Sequence, residues 1–289
     1  MDDLSTRAVA AAFAVAAAQG LRCDAPEVLA DGSNVLVRLG PAPVVARVAT
    51  TTALVRKPVE LWMRIDVDLA GYLAREGFPV VAPSREIAPG PHVQDGFAVT
   101  FWEYVDHDRN ASPAVEEVGG LLCELHGALR GYKGKLRQLS PFAEIPEWLD
   151  EIERWGTVDA GDVAMLRRGY EQVSRRMQHL KLSEQPLHGD AHRKNVLMTS
   201  RGPLWTDFED ACRGPLAWDL ACFVQTSGEA RRTALASYGG EIEMEQLIPF
   251  FEARDLQGGV WCAVLSSRFA DRRERAEEWM TVCRARYGV

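Results

Sequence analysis

Hydrophobic and polar positions along the 289 residues change period several times, and each change predicts an element. Residues 8–18 form an apolar, alanine-rich run. Ser5 ahead of it suits an N-cap and Gly20 behind it a stop, so the run reads as an opening helix. From 26 to 48 the pattern alternates: 27–30, 35–39 and 44–48 read as strands, joined by the turns Asp31-Gly32-Ser33-Asn34 and Gly40-Pro41-Ala42-Pro43. Residues 58–75 read as a helix closed by Gly77-Phe78-Pro79, and 97–102 as an apolar strand. Over 112–130, Val118, Leu121, Leu122, Leu125 and Leu129 recur at spacings of three and four, one buried helical face with Pro113 in its first turn. His126 lies beside that face and reads as a satisfied core histidine. Residues 131–185 are helical and linker-like, with breaks at Pro141, Pro146 and Gly156. Beyond Asp219 the chain is helical to its end, with Glu241, Glu243, Glu245 and Glu252 expected toward solvent or, for some of them, toward a cationic acceptor.

The candidate chemistry sits where the pattern turns to a short ribbon. His188-Gly189-Asp190-Ala191-His192-Arg193-Lys194-Asn195 leads into a strand at 195–199. A turn at 200–203 and a return strand at 204–206 follow, then Asp207-Phe208-Glu209. The midpoint between 195 and 207 is Arg201, inside the turn, so the reading places Asn195 opposite Asp207, with Cβ atoms roughly 5 Å apart. Both offer the hard oxygen donors that magnesium prefers. An Asp, an Asn five residues on and a second Asp across a hairpin are what phosphoryl transfer to a hydroxyl requires. One carboxylate orients the acceptor, while the amide and the other carboxylate hold the metal that carries the triphosphate.

These residues resemble the catalytic core of the aminoglycoside phosphotransferase family, relatives of the protein kinases. Asp190 and Asn195 match the kinase catalytic loop, and Asp207-Phe208-Glu209 the Asp-Phe-Gly segment. Gly214-Pro215-Leu216-Ala217-Trp218-Asp219-Leu220-Ala221 looks like the family's downstream segment, whose Asp, here Asp219, braces the catalytic loop. The resemblance implies an α+β, bilobal, protein-kinase-like fold. Residues 1–103 would form a nucleotide-covering lobe with a small antiparallel sheet, and 104–289 a mainly helical catalytic and acceptor-binding lobe with the hairpin. It implies Asp190 as base and Asn195 and Asp207 as Mg2+ ligands. The turn at Ser33 and Asn34 would let backbone N–H groups approach phosphate. Arg47 stands where kinases have a lysine, and its planar fork suits phosphate. Counting back eleven residues from Gly77 gives Asp66 as its partner, with Glu60 and Asp68 as alternatives. Glu103 and Val105 would meet the base of ATP or GTP through main-chain groups.

Composition narrows the partners. A net charge of −8 and a pI near 5.4 argue against nucleic acid, which needs basic surface. They are compatible with a cationic acceptor without requiring one. Asp106, Asp108, Glu209 and Asp210 are expected to border an acidic acceptor pocket. Six scattered cysteines with no Cys-x-x-Cys pair read as reduced thiols of a cytoplasmic protein. The leader Met1-Asp2-Asp3 is acidic where a secretory leader is basic, and no run reaches the length of a membrane span. Only eleven residues separate Asp207 from Asp219, too few for a peptide-docking segment. The expected partners are therefore a nucleotide and a small hydroxyl-bearing molecule, for a monomer or homodimer. Two rivals stand beside this reading: a nucleotide-binding module without catalysis, and a metal-dependent hydrolase built on His188, Asp190 and His192.

Overall fold

The computed structural model describes residues 3–240 and 242–288. The leader residues Met1 and Asp2, and Glu241 with its expected solvent-facing place, lie outside the described residues. In chain order the elements are α1 (Asp3–Ala18), β1 (Cys23–Asp31), β2 (Asn34–Pro41), β3 (Val44–Ala49), α2 (Thr52–Val55), α3 (Glu60–Arg75), β4 (His92–Gln94), β5 (Phe97–Glu103), α4 (Val115–Leu129), β6 (Arg137–Gln138), α5 (Ile145–Arg154), α6 (Ala160–His179), β7 (Glu184–Leu187), β8 (Val196–Thr199), β9 (Gly202–Trp205), β10 (Cys212–Pro215), α7 (Leu216–Thr226), α8 (Arg231–Tyr238), α9 (Ile248–Ser266) and α10 (Arg273–Tyr287). They form two compact units. Of the described residues, the first contains 3–114, Gly127–Lys135 and Lys194–Ala211; the second contains Val115–His126, Leu136–Arg193, 212–240 and 242–288.

The first unit is built on an antiparallel sheet of strand order β1-β2-β3-β5-β4. Alternation puts Val35, Val37 and Leu39 of β2 and Val44, Ala46 and Val48 of β3 at zero exposure, in one core with Ala8, Ala11, Ala12 and Ala16 of α1. Burying each larger side chain of this set contributes on the order of 1.5–3 kcal/mol. Helix α1 stops at Gly20, whose φ of +80° suits glycine. Gly20 N–H donates to Ala17 O at 2.9 Å and Leu21 N–H to Ala16 O at 3.0 Å, the paired bonds of a Schellman ending. Ser5 is not the N-cap. The helix starts at Asp3, and the buried Ser5 hydroxyl donates to Asp31 Oδ2 at 2.5 Å, tying helix to sheet. Two elements went unforeseen: the short α2, and β4, which pairs with β5 across an Asp95-Gly96 turn with both φ values positive. The hairpin β8–β9 docks on the same unit. Val81 N–H donates to Trp205 O at 2.8 Å and Trp205 N–H to Pro79 O at 3.0 Å, and Trp205 is buried.

The second unit is helical around a small three-stranded sheet, β6-β10-β7, in which β10 is antiparallel to β7 and parallel to β6. Strands of two to four residues containing Pro186 and Pro215 show no readable alternation, which is why the segment 131–185 reads as helical linker. Helix α5 turns Ile145, Trp148, Leu149 and Ile152 inward, and α9 packs against α5, α6, α7 and α10. Among the described residues no helix is long and apolar enough to cross a membrane.

Candidate active site

A cavity of about 480 Å³ opens within the first unit. Ser33, Asn34, Arg47, Asp66, Glu103, Val105, Asn195 and Asp207 all line it. Apolar Leu36, Val45, Val81 and Leu197 supply other parts of the wall, the mixture of apolar surface and few polar groups usual for a small-molecule site.

The loop 31–34 over this cavity is held down by a threonine run that the sequence reading passed over. Thr51 Oγ1 donates to Gly32 O at 3.0 Å, and Thr52 donates twice to Ser33 O, from Oγ1 at 3.1 Å and from N–H at 3.0 Å. The Asn34 side chain is committed elsewhere. Its Nδ2 donates to Glu209 Oε2 at 2.9 Å, while its buried Oδ1 has no hydrogen-bond partner among the described residues. At the other end, Glu103 N–H donates to Ala82 O at 3.0 Å and Tyr104 N–H to Pro43 O at 2.8 Å. Val105 O accepts from His107 Nδ1 at 2.9 Å, which fixes the proton on that nitrogen.

Arg47, on β3, is the electrostatic centre. Its Nη1 lies 2.9 Å from Asp66 Oδ2, and its Nη2 lies 2.7 Å from Asp207 Oδ1 and 2.9 Å from Glu209 Oε2. Of the three acids named for it, Asp66 on α3 is the one that meets it. Asp66 also accepts from Phe208 N–H at 3.0 Å, linking α3 to the Asp-Phe-Glu segment. Burial pushes the Asp66 carboxyl up, Arg47 pulls it down, and Asp207 and Glu209 push it up again, to about 7. Burial alone would weaken the Arg47 cation, yet Asp207, Glu209 and Asp66 hold it well above the ordinary arginine range. Three carboxyl groups around one guanidinium leave an excess of negative charge. With oxygen donors from Asp207, whose side chain is 39% exposed, and Asn195 on the cavity wall, these residues fit a magnesium ion that keeps phosphate and water ligands.

The hairpin register differs by one residue from the sequence reading. Val196 pairs with Trp205 and Thr199 with Gly202, so only Ser200 and Arg201 lie between the strands. Asn195 therefore faces Thr206, whose N–H donates to Asn195 O at 3.0 Å, rather than Asp207. A one-residue slip would send Asp207 to the opposite face of a continuing strand. The strand does not continue: Asp207 adopts φ +70°, and with that turn Asp207 and Asn195 line the same cavity. A non-glycine residue in this region is uncommon and often marks a functional position.

Asp190 belongs to the second unit, in the segment after β7. Gly189 turns the chain with φ +88°. The buried carboxylate of Asp219, on α7, accepts from His188 N–H at 2.8 Å and Gly189 N–H at 2.9 Å, and lies 3.0 Å from His126 Nε2. His126 Nδ1 is in turn 3.0 Å from the Tyr238 hydroxyl, so this histidine is a buried bridge between helices. Burial would raise the Asp219 carboxyl, but His126, His188 and the N–H bond hold it below the ordinary range. The His188 ring accepts from Asp190 N–H at 3.3 Å. His192 Nε2 lies 3.2 Å from Asp190 Oδ2. The hydrolase triplet is not assembled: among the described residues no three His, Cys, Asp or Glu side chains are arranged to hold a metal.

Three of the four residues expected to border an acidic acceptor pocket have partners in the structure. Glu209 binds Arg47 and Asn34, and Asp210 is paired with the buried Arg56 at 2.5 Å. Asp108 Oδ1 accepts from Asn110 N–H at 2.8 Å, and none of the four lines the cavity. The sequence reading also missed Arg254 of α9, which donates to Asp190 Oδ1 and, at 2.9 Å, to Gly189 O. Its available signal was a cation set among the buried positions Phe250, Ala253, Leu256 and Gln257.

An antiparallel sheet with a helical remainder, and an Asp-x4-Asn loop leading to a hairpin and Asp-Phe-Glu, define a protein-kinase-like fold. The chain belongs to the phosphotransferase enzyme family, whose pattern matches residues 27–250. Three solved structures are similar over nearly their whole length. An amicoumacin kinase in complex with AMP-PNP and Ca2+ is 13% identical with TM-score 0.67, covering 95% of this chain and 93% of that one. A microcompartment-associated aminopropanol kinase is 18% identical with TM-score 0.68, covering 93% of each. A choline/ethanolamine kinase family protein from Mesorhizobium loti is 20% identical with TM-score 0.64, covering 98% and 94%. Comparison with curated proteins gives no match.

Proposed function

We propose that the protein is a small-molecule kinase that moves the γ-phosphoryl group of ATP or GTP to a hydroxyl group. The observation that carries this reading is the cavity in which Arg47, Asp66, Asn195 and Asp207 converge beside the loop 31–34. Family membership supports the reaction class.

In this reading the nucleotide lies in the cavity, its base against the main chain of Glu103 and Val105. Backbone groups at Ser33 and Asn34 and the guanidinium of Arg47 receive the phosphates. Asn195 and Asp207 would hold magnesium, which when bound offsets the triphosphate charge. Asp190 accepts a hydrogen bond from the acceptor hydroxyl. The acceptor oxygen bonds to the γ-phosphorus as the bond from that phosphorus to the β,γ-bridging oxygen breaks. The nucleoside diphosphate leaves with that electron pair, and the hydroxyl proton passes to Asp190 and on to solvent. Positioning and charge stabilisation supply most of the rate, because the transition state is loose.

The similar structures are named for amicoumacin, aminopropanol and choline or ethanolamine. Those names support an amine-bearing alcohol as the first acceptor class to try. The test is a panel of hydroxyl acceptors with MgATP and MgGTP, read by coupled release of the diphosphate. Turnover stimulated by an acceptor, lost in Asp190→Ala with nucleotide affinity retained, is the expected result. Tight nucleotide binding with no turnover across the panel would instead mark a binding module.

A further inference from the structure

We infer that Arg254 is the residue that positions Asp190 for transfer, fixing the direction of its carboxylate from α9. The inference rests on the kinase reading, in which Asp190 meets the acceptor. Arg254 is 64 residues distant in sequence, in the middle of a helix, with its side chain only 10% exposed. A guanidinium so deeply placed must be compensated by partners. Its fork divides between two consecutive residues: Nη1 donates to Gly189 O at 2.9 Å, and Nη2 donates to Asp190 Oδ1. The plane is kept in place by the Trp218 ring, 5.0 Å from the guanidinium carbon, and by Cys222 Sγ, 2.9 Å from Nη2.

Trp218 completes the clamp, since its Nε1 donates to the same Gly189 O at 2.8 Å. The main chain of 188–189 is thus gripped by Asp219 through its N–H groups and by Trp218 and Arg254 through a carbonyl. Of these three, Arg254 reaches past the backbone to the side chain of Asp190, whose Oδ1 also accepts from Cys222 Sγ at 3.5 Å. One rigid fork bound to the carbonyl of 189 and the carboxylate of 190 restricts the rotation of the Asp190 side chain. Lysine, a single point charge, cannot make that pair of contacts in fixed geometry. With Oδ1 held by Arg254, the acceptor hydroxyl falls to Oδ2, which lies 3.2 Å from His192 Nε2. The electrostatics agree: burial alone would raise the Asp190 carboxyl, but Arg254, then His192, hold it well below the ordinary range. Asp190 accordingly stays ionised and oriented, which suits a reaction in which the proton leaves late.

The experiment has two readouts on wild type, Arg254→Ala, Arg254→Lys and Asp190→Asn. Carbon-13 NMR of aspartate-labelled protein, with Asp190→Asn identifying the resonance, follows the Asp190 carboxyl against pH. Diphosphate release from MgATP, with water and with the acceptor panel, gives kcat, KM and the acid limb of the pH profile. Arg254→Ala should raise the Asp190 titration and the acid limb together by roughly 1–3 pH units. It should lower kcat about 100-fold with KM for MgATP unchanged, the usual cost of misplacing a reacting group. Added guanidinium ion should restore part of the rate. Arg254→Lys keeps the charge, so its titration should stay near wild type while kcat still falls; it also serves if the alanine variant does not fold. An Asp190 titration unmoved in Arg254→Ala, or wild-type kcat in Arg254→Lys, would overturn the role of Arg254. Full transfer by Asp190→Asn would take Asp190, and with it Arg254, out of the transfer step, whereas no acceptor-stimulated diphosphate release from wild type would sink the kinase reading itself, a different outcome.

Discussion

At the scale of single residues, the two charged centres solve the same problem differently. Arg47 must stay cationic while buried, and it does so by facing three carboxyl groups at 2.7–2.9 Å. Asp219 must stay anionic at zero exposure, and it does so by accepting from two backbone N–H groups beside His126. A carboxylate offers only acceptors to these donors, whereas an amide turns one NH2 toward them. Asp219→Asn should therefore cost about 1–3 kcal/mol at neutral pH, the range for a buried group left badly paired. The pH dependence follows from the depressed Asp219 carboxyl. Its contribution is fully present above the unfolded value of about 3.9 and disappears as pH falls through the lower folded value. In urea titrations from pH 7 to pH 3, wild type should lose more stability over the acid end than Asp219→Asn. Parallel curves for the two proteins would remove Asp219 from that role.

At the scale of elements, the decisive event is where β9 ends. The alternating register brings Asn195 and Thr206 face to face, and only the left-handed turn at Asp207 returns the next side chain to the cavity. Conformation and charge at this position can be separated by two variants. Asparagine tolerates positive φ, whereas alanine there costs roughly 1–2 kcal/mol of strain. Asp207→Asn should fold with nearly normal stability, and Asp207→Ala should be less stable by about that margin. Both should weaken magnesium-dependent nucleotide binding in titrations, and an unchanged magnesium dependence in Asp207→Asn would take this carboxylate out of the metal site. The same hairpin shows what the sequence made legible. Turn chemistry and the spacing of Asp190, Asn195 and Asp207 were readable because all three lie within eighteen residues of one another. The register was not, because Gly202 and Pro203 resemble turn residues while belonging to β9. Strands β6, β7 and β10 are too short for periodicity to mark. Arg254 and Glu209 gain their roles only from chain-distant contacts, and a local pattern holds no trace of those.

At the scale of the whole molecule, the proposed function divides its tasks between the two units: the cavity proposed for the nucleotide lies in the first, and the clamp on Asp190 in the second. Binding and transfer should therefore respond separately to mutation. A ligand that binds only the folded state stabilises it by RT ln(1 + [L]/Kd), about 2.7 kcal/mol at a hundredfold excess over Kd. MgATP, or MgGTP if guanine is preferred, should raise the thermal midpoint of wild type by several degrees. Asp190→Ala, altered only in the second unit, should show the same rise while transferring nothing. Asp207→Asn should show little rise in magnesium and a rise no larger than that of free nucleotide alone. The pair of variants makes the test discriminating, because a general loss of fold would erase the shift in both. A thermal response lost in Asp190→Ala but kept in Asp207→Asn would reverse the assignment, placing the triphosphate on the loop before β8 rather than in the cavity around Arg47.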